Sequence, residues 1–420
     1  MNPVRILGAL LTALFLALAG SARAQTLVIE SWRTEDKAIW EQRIIPAFQR
    51  QHPGITIKFA PTARELYDQT LSTRLDNHIA GDLIACRPFD ASLALFLRGH
   101  LMAIDDLKNL AHFPPASRIA WQTDDGRQTF CMPIASVMHG IFYNKAIFRR
   151  LGLSVPPDQA AWFALMQRVA QAPGVAPLAL GTADRWESHQ LLFTSIGPSH
   201  WGGEAGRRRL LRGEIGLTDP GFIGAWETLS RLADFLPRGY ASMGYEDAME
   251  LFGQGLAAMR PGGSWEIASL QAYRPLELGV FPPPVLHAGR PCQVSDHLDI
   301  GMGINPRSQH LQAARTFLDW LGSAEFTQLY ANAAVGFYPL ADHPVTLADP
   351  LAREMMGWRQ RCQTTVRLNA QRLNRGEPDM EDAFWTVNAM VVNRRLTPEQ
   401  AARRLQRELA RRQGTQPLPQ

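Results

Sequence analysis

The 420-residue chain has only four lysines, at Lys37, Lys58, Lys108 and Lys145, and only four cysteines, Cys86, Cys131, Cys292 and Cys362. It carries little net charge, with 43 basic side chains against 39 acidic ones. This balance argues against a nucleic-acid-binding protein, which needs a basic surface to displace counterions from phosphates. The scarcity of lysine reflects arginine usage across the whole chain and implies no chemistry. The cysteine spacings are far too wide for a zinc ribbon or a redox CxxC pair. There is no GxSxG nucleophile elbow, since Gly262-Gly263-Ser264-Trp265-Glu266 ends in glutamate, and no HExxH zinc motif. Nothing repeats, and no β-sandwich spacing is seen.

What is present is a globular composition, 46% hydrophobic and 20% charged, enough for one large core or two ordinary ones. Met1 to Arg5 is basic, Ile6 to Gly20 is apolar, and Ala22-Arg23-Ala24 places small residues where signal peptidase reads them. The pattern predicts a secretory signal peptide over residues 1–24, cleaved before Gln25. Its apolar run of about 15 residues is short of the roughly 20 needed to span a bilayer. The mature chain is therefore expected in the periplasm, where disulfides are permitted. Four cysteines allow three pairings, and Cys86 with Cys131 is the first to test.

Along the mature chain, Thr26 to Glu30, Ile55 to Phe59 and Asp82 to Cys86 read as strands, separated by helical patterns around Ile39 to Phe48 and from Arg64 to Ile79. That alternation predicts a parallel α/β sheet, whose ligands bind beyond the carboxyl ends of the strands. Those ends present Trp32 and Arg33, and Arg87, Phe89 and Asp90. From Ile141 the pattern restarts, with strands at Ile141 to Tyr143, Leu256 to Met259, Leu278 to Val280 and Leu298 to Ile304. Pro261-Gly262-Gly263 reads as a turn, and most of the chain after Gln309 reads as helix to about Arg412. Residues 414–420 read as a tail.

Four stretches carry a family resemblance. They are Ile44-Ile45-Pro46-Ala47-Phe48 with His52-Pro53-Gly54-Ile55; Pro133-Ile134-Ala135 running into Phe142-Tyr143-Asn144-Lys145 and Gly152-Leu153; Gly255-Leu256-Ala257-Ala258-Met259 ending in Gly262-Gly263-Ser264-Trp265; and Gly303-Ile304-Asn305 with Ala313 to Leu318. In this order and spacing the chain resembles the family 1 extracellular solute-binding proteins of ATP-driven importers, the group that includes maltose-binding protein. The resemblance implies the type II periplasmic-binding-protein fold, with α/β lobes, three hinge crossings and a ligand cleft. Lobe I would hold residues 25–134 and 281–333, and lobe II residues 135–280 and 334–413.

It also implies a carbohydrate ligand, an inner-membrane permease with its ATPase as partner, a monomer, and no cofactor, metal or catalysis. A sugar presents an apolar C–H face and a rim of hydroxyls, so its site needs aromatic rings and fixed donors and acceptors. Carried over position by position, His139, Asp184, Trp186, Trp265, Asp296, His297 and Tyr338 join Trp32, Arg33, Arg87, Phe89 and Asp90 as candidate ligand contacts, with Trp265 foremost. Val137 and Ser136 stand where a maltose-type site is acidic, which argues against maltose. Arg33 and Arg87 would suit a phosphorylated, sulfonated or uronic sugar, although an arginine at a strand end more often forms an ion pair.

The alternative is a secreted carbohydrate-active hydrolase. Asp296-His297-Leu298-Asp299 faintly resembles a metal or triad fragment, but on a strand His297 and Asp299 share a face while Asp296 points away. Adjacent acidic pairs such as Asp124-Asp125 and Glu381-Asp382 suit a solvated surface better than two acids facing each other across a substrate. The cluster Arg207-Arg208-Arg209-Arg212 reads as a solvated helix face.

Overall fold

The computed structural model describes residues 25–415, apart from Pro275 and 376–378, so the signal peptide and residues 416–420 of the tail lie outside the described residues. They fall into two compact units, one within Met1–Ile84 and Ile304–Phe317, the other within Ala85–Gly303 and Leu318–Gln420. No helix among the described residues is long and apolar enough to cross a membrane.

In the first unit, β1 (Gln25–Ser31) runs parallel to both β2 (Ile55–Pro61) and β3 (Leu83–Cys86). The helical run between β1 and β2 widens into a π turn over Trp40–Ile44 just before Pro46. Proline has no N–H for the carbonyl one turn back, and its ring crowds that carbonyl, so the local hydrogen-bond pattern loosens there. The run still presents Trp40 and Phe48 inward. Trp40 stacks on Phe59 at 5.3 Å, and Phe48 meets the edge of Phe317 at 4.9 Å. Asp82 ties the sheet together, accepting from the Val28 amide at 2.8 Å and from the Ser308 hydroxyl at 2.6 Å.

The second unit is organised by β4 (Met132–Asn144), far longer than the Ile141 to Tyr143 strand expected from sequence, and buried along nearly its whole length. It changes partner part-way. Met132 to Met138 pair antiparallel with β8 (Gln293–Ile304), whereas His139 to Asn144 pair with β6 (Ala257–Gly263) and β7 (Leu278–Phe281). The short β5 (Ala176–Leu178) extends the sheet beside β6. Ser136 is a junction, facing Leu298 of β8 and Tyr338 of β9 (Tyr338–Pro339). Helices Gln159–Ala170, Pro220–Leu232 and Met380–Val392 start on the aspartate caps Asp158, Asp219 and Asp379. They enclose a core that contains Trp162, Phe193, Trp226 and Phe384.

The cysteines pair as Cys86–Cys131 and Cys292–Cys362, both within the second unit; the latter sits where β10 (Gln363–Thr365) joins β8. Three local expectations are corrected. Pro261-Gly262-Gly263 is strand rather than turn, and its glycines are needed for space: a Cβ on Gly263 would stand 1.9 Å from the Trp265 ring. Asp296 and His297 lie inside β8, which begins five residues earlier than the Leu298 start read from sequence. Arg207 is not a solvated charge but is buried, holding Glu204 at 2.8 Å and the Ala370 carbonyl at 3.0 Å. Helix Asp90–Leu97 carries no clear periodic signal and is legible only in the structure.

Candidate functional site

At the point where β4 changes partner, three of the candidate residues converge. His139 is fully buried, its ring centroid 5.2 Å from His297 and 5.4 Å from Trp265, all in edge-on geometry. Neither nitrogen of His139 has a hydrogen-bond partner. His297 has only a 3.4 Å contact from Nε2 to Asp299. Burial holds the His139 imidazole well below the usual histidine range, and the neighbouring His297 adds to the effect. Burial likewise lowers His297 to about 4. Both rings are therefore neutral at neutral pH, and a neutral imidazole offers one donor and one acceptor.

Strand geometry brings further groups to this place. Residues two apart share a face, so Gln293, Ser295, His297 and Asp299 form one polar stripe along β8. Gln293 Oε1 and Ser295 Oγ are buried without a hydrogen-bond partner. Extending the register by one residue sets Ser295 opposite His139. Asp296 points to the other face, where it accepts from Ser136 Oγ at 2.7 Å and Arg359 Nε at 2.7 Å. Arg359 also lies over the ring of Tyr338, whose hydroxyl donates to the Ala352 carbonyl at 3.2 Å. Asp296 and Tyr338 thus meet each other through Arg359 at the β4–β8–β9 junction.

A second branch runs from Trp265. Its Nε1 donates to the Tyr245 hydroxyl at 3.1 Å, and the Tyr245 ring lies 4.9 Å from Trp186 and under Arg260. Asp184 is exposed and accepts from the Tyr245 amide at 2.7 Å. Arg260 and Glu266 are both completely buried and form a bidentate pair at 2.9 and 3.1 Å. Close enough to feel both charges is Glu187, also fully buried, with neither carboxylate oxygen within hydrogen-bond geometry of a partner among the described residues. Burial raises it to about 8, with Arg260 opposing the rise and Glu266 adding to it.

The strand-end candidates are disposed differently. Trp32 is buried against Tyr67 at 5.5 Å, and buried Arg33 engages Asp36 and Glu35. Phe89 adopts a left-handed backbone, with φ of 61°, and donates its amide to the Ala120 carbonyl at 2.7 Å. Asp90 accepts from Arg375 Nε at 2.8 Å and from the Asn374 amide at 3.2 Å, while Arg375 also grips Asp124. Arg87 is half-buried, and its charge reaches Glu381, which accepts from Gln190 at 2.7 Å.

The sequence reading missed Glu187, Gln293, Ser295 and Tyr245. A signal for the β8 pair existed in the alternation of polar residues at 293, 295, 297 and 299, which only shows once the strand is begun at Gln293. Glu187 and Tyr245 carry no such pattern.

Buried polar atoms without partners are rare in folded proteins and cost free energy, and two such imidazoles, His139 and His297, stand side by side here. Residues 31–328 match the family model for bacterial extracellular solute-binding proteins. The chain belongs to that family. As a solute-binding protein, it is 25% identical over 296 residues to the multiple sugar-binding protein of Streptococcus mutans, covering 69% of each chain. Its fold is shared with the solute-binding protein RafE solved with raffinose, at a TM-score of 0.75 and 23% identity, covering 92% of this chain and 99% of that one. It is shared equally with AcbH, a solute receptor described as preferring β-D-galactopyranose, at a TM-score of 0.79 and 18% identity, with 92% and 99% covered.

Proposed function

We propose that this solute-binding protein captures a neutral, hydroxyl-rich sugar and delivers it unchanged to the membrane subunits of an ABC importer. The observation that carries the reading is the pair of buried, neutral and under-satisfied imidazoles of His139 and His297, 5.2 Å apart and both edge-on to Trp265. Trp265 would cover the apolar C–H face of a pyranose, and the two neutral imidazoles would meet its hydroxyls as donors and acceptors. Its sugar-binding relatives point to the same ligand class. The neutral rather than anionic choice follows from the charges: Arg260 is taken up by Glu266, Arg33 by Asp36 and Glu35, and Arg375 by Asp90 and Asp124.

Capture would proceed by closure of the two lobes, 25–134 with 281–333 and 135–280 with 334–413, on a hinge that includes the junction at Ser136. The protein would act in the periplasm after loss of its signal peptide, as a monomer, with a permease and its ATPase as partners. The test is a thermal-shift and calorimetric screen of the chain starting at Gln25 against neutral sugars, oligosaccharides, polyols, and phosphorylated, sulfonated and uronic sugars. A neutral sugar that stabilises the protein and is recovered intact supports the reading. An exclusively anionic hit overturns the neutral assignment, and a sugar that is consumed returns the hydrolase alternative.

A further inference from the structure

Away from the site described above, a second group of side chains has the composition of a metal centre. His112, the last residue of the short helix Lys108–His112, lies beside Asp342 and His343, in the loop that follows β9. One nitrogen or carboxylate oxygen from each of the three can be chosen so that all lie within 4.8 Å of one another. The two imidazole centroids are 4.1 Å apart, and His112 Nδ1 stands 3.3 Å from Asp342 Oδ1. We propose that His112, Asp342 and His343 bind a divalent transition-metal ion of the zinc type, which clips the Lys108–His112 helix to the 342–343 loop.

Three features favour an ion over a simple ion pair. First, tetrahedral zinc with ligand bonds of about 2.0 to 2.2 Å sets its donor atoms roughly 3.3 to 3.6 Å apart, the spacing already found between His112 and Asp342. Second, His343 Nε2 lies 2.9 Å from the Gly322 carbonyl oxygen, which can only accept. The proton of the neutral ring must then sit on Nε2, leaving the Nδ1 lone pair for a metal. A histidine whose second nitrogen donates to a carbonyl is the usual arrangement around bound zinc, because it fixes the tautomer and orients the ring.

Third, the backbone beneath is fixed before any ion arrives. The Asp342 amide donates to the His112 carbonyl at 2.8 Å. Asn109 holds Asp319 through both its amide and its side chain, at 2.7 and 3.0 Å. Gly322 approaches Asn109 so closely that a Cβ would fall 2.8 Å from the Asn109 Cβ. The ligands therefore come from two segments already tied together, and only side-chain rotation is needed to close a site.

The donor set selects the ion. Two imidazoles and one carboxylate suit zinc, nickel or copper(II), whereas calcium and magnesium prefer all-oxygen shells. The His112 and Asp342 side chains are 43% and 56% exposed, so an ion can enter from solvent, and a water would complete four-coordination.

The experiment uses the tag-free chain from Gln25, stripped with chelator and titrated with ZnCl2 alone. One equivalent should bind and raise the melting temperature by several degrees. Titration with CoCl2 should give the intense visible absorption of a tetrahedral ion. His112→Ala/His343→Ala should lower zinc affinity at least tenfold and abolish the cobalt spectrum, Asp342→Asn should weaken both, and His287→Ala, at an exposed histidine, should change neither. Sugar binding should be the same in the parent and all three variants, which separates this site from the proposed sugar site. Absence of stoichiometric binding, or binding undiminished in both the double variant and Asp342→Asn, overturns the proposal.

Discussion

Arg33 and His139 are both polar and both buried, yet the chain treats them in opposite ways. The Arg33 guanidinium, just past β1 in the first unit, has its charge met by Asp36 and Glu35. His139, on β4 in the second unit, has no partner for either nitrogen. The same contrast recurs within the second unit, where Arg260 and Glu266 satisfy each other while nearby Glu187 is left unsatisfied. A compensated buried charge is part of the fold, because removing one partner strands the other. An uncompensated buried polar atom costs the folded protein free energy and strands no partner when it is removed. The two kinds of burial should therefore respond to mutation in different observables.

The largest expected effects are on stability at the compensated positions. Arg260→Met and Arg33→Met should each lose about 3 to 5 kcal/mol in urea denaturation, since each leaves a buried carboxylate unpaired. A loss below about 1 kcal/mol at either position would erase the contrast.

Next comes the pH dependence of Glu187. Its folded pKa of about 8 lies above the unfolded value, so the native state holds the proton more tightly. Its contribution to stability is complete at acid pH and is lost as pH rises through about 8. The depressed histidines act in the opposite sense, losing stability as pH falls below about 6.5 towards the His297 value of about 4. Just above pH 6.5 the unfolded chain is still shedding histidine protons, which offsets this loss, so the Glu187 contribution, a decline of about 2 kcal/mol between pH 6.5 and 8, is read as the difference between the parent and a variant that cannot titrate there. Glu187→Gln, which keeps the neutral shape, should flatten that decline in denaturation curves recorded at several pH values.

A smaller effect in energy, but on binding, is expected at Trp265. Trp265→Ala should weaken sugar affinity at least tenfold by calorimetry, about 1.4 kcal/mol, while the melting temperature changes little because the ring is only half-buried. The smallest change should be the stability of ligand-free His139→Leu, which fills the imidazole's volume, within about 1 kcal/mol of the parent, since no hydrogen bond is lost. Its sugar affinity should nonetheless fall. A large loss of stability with affinity retained would move His139 from the binding surface into the core.

Much of the fold is readable from local pattern. The opening strands and helix are amphipathic or β-branched with clear breakers, and Asp158, Asp219 and Asp379 announce their helices as caps. The ring candidates for the site were readable too, because tryptophan and histidine near glycine or a strand end stand out. What misled was length: β4 and β8 each look like short strands, since buried strands show no alternation where both faces are covered, and the polar stripe of β8 was cut at Leu298. Arg207 likewise looks exposed in a run of arginines, and only Glu204 and the Ala370 carbonyl explain why it is not.

The sequence alone determined the class of architecture and the family, because these rest on local periodicity and on the order of short motifs. Only the tertiary structure decided which of three cysteine pairings forms, which arginines are already neutralised, and which buried polar groups lack a partner. The disulfides join residues 45 and 70 positions apart, and contacts at the candidate site join residues more than a hundred apart, as Ser136 meets Asp296 and His139 meets Trp265, and no local pattern records such meetings.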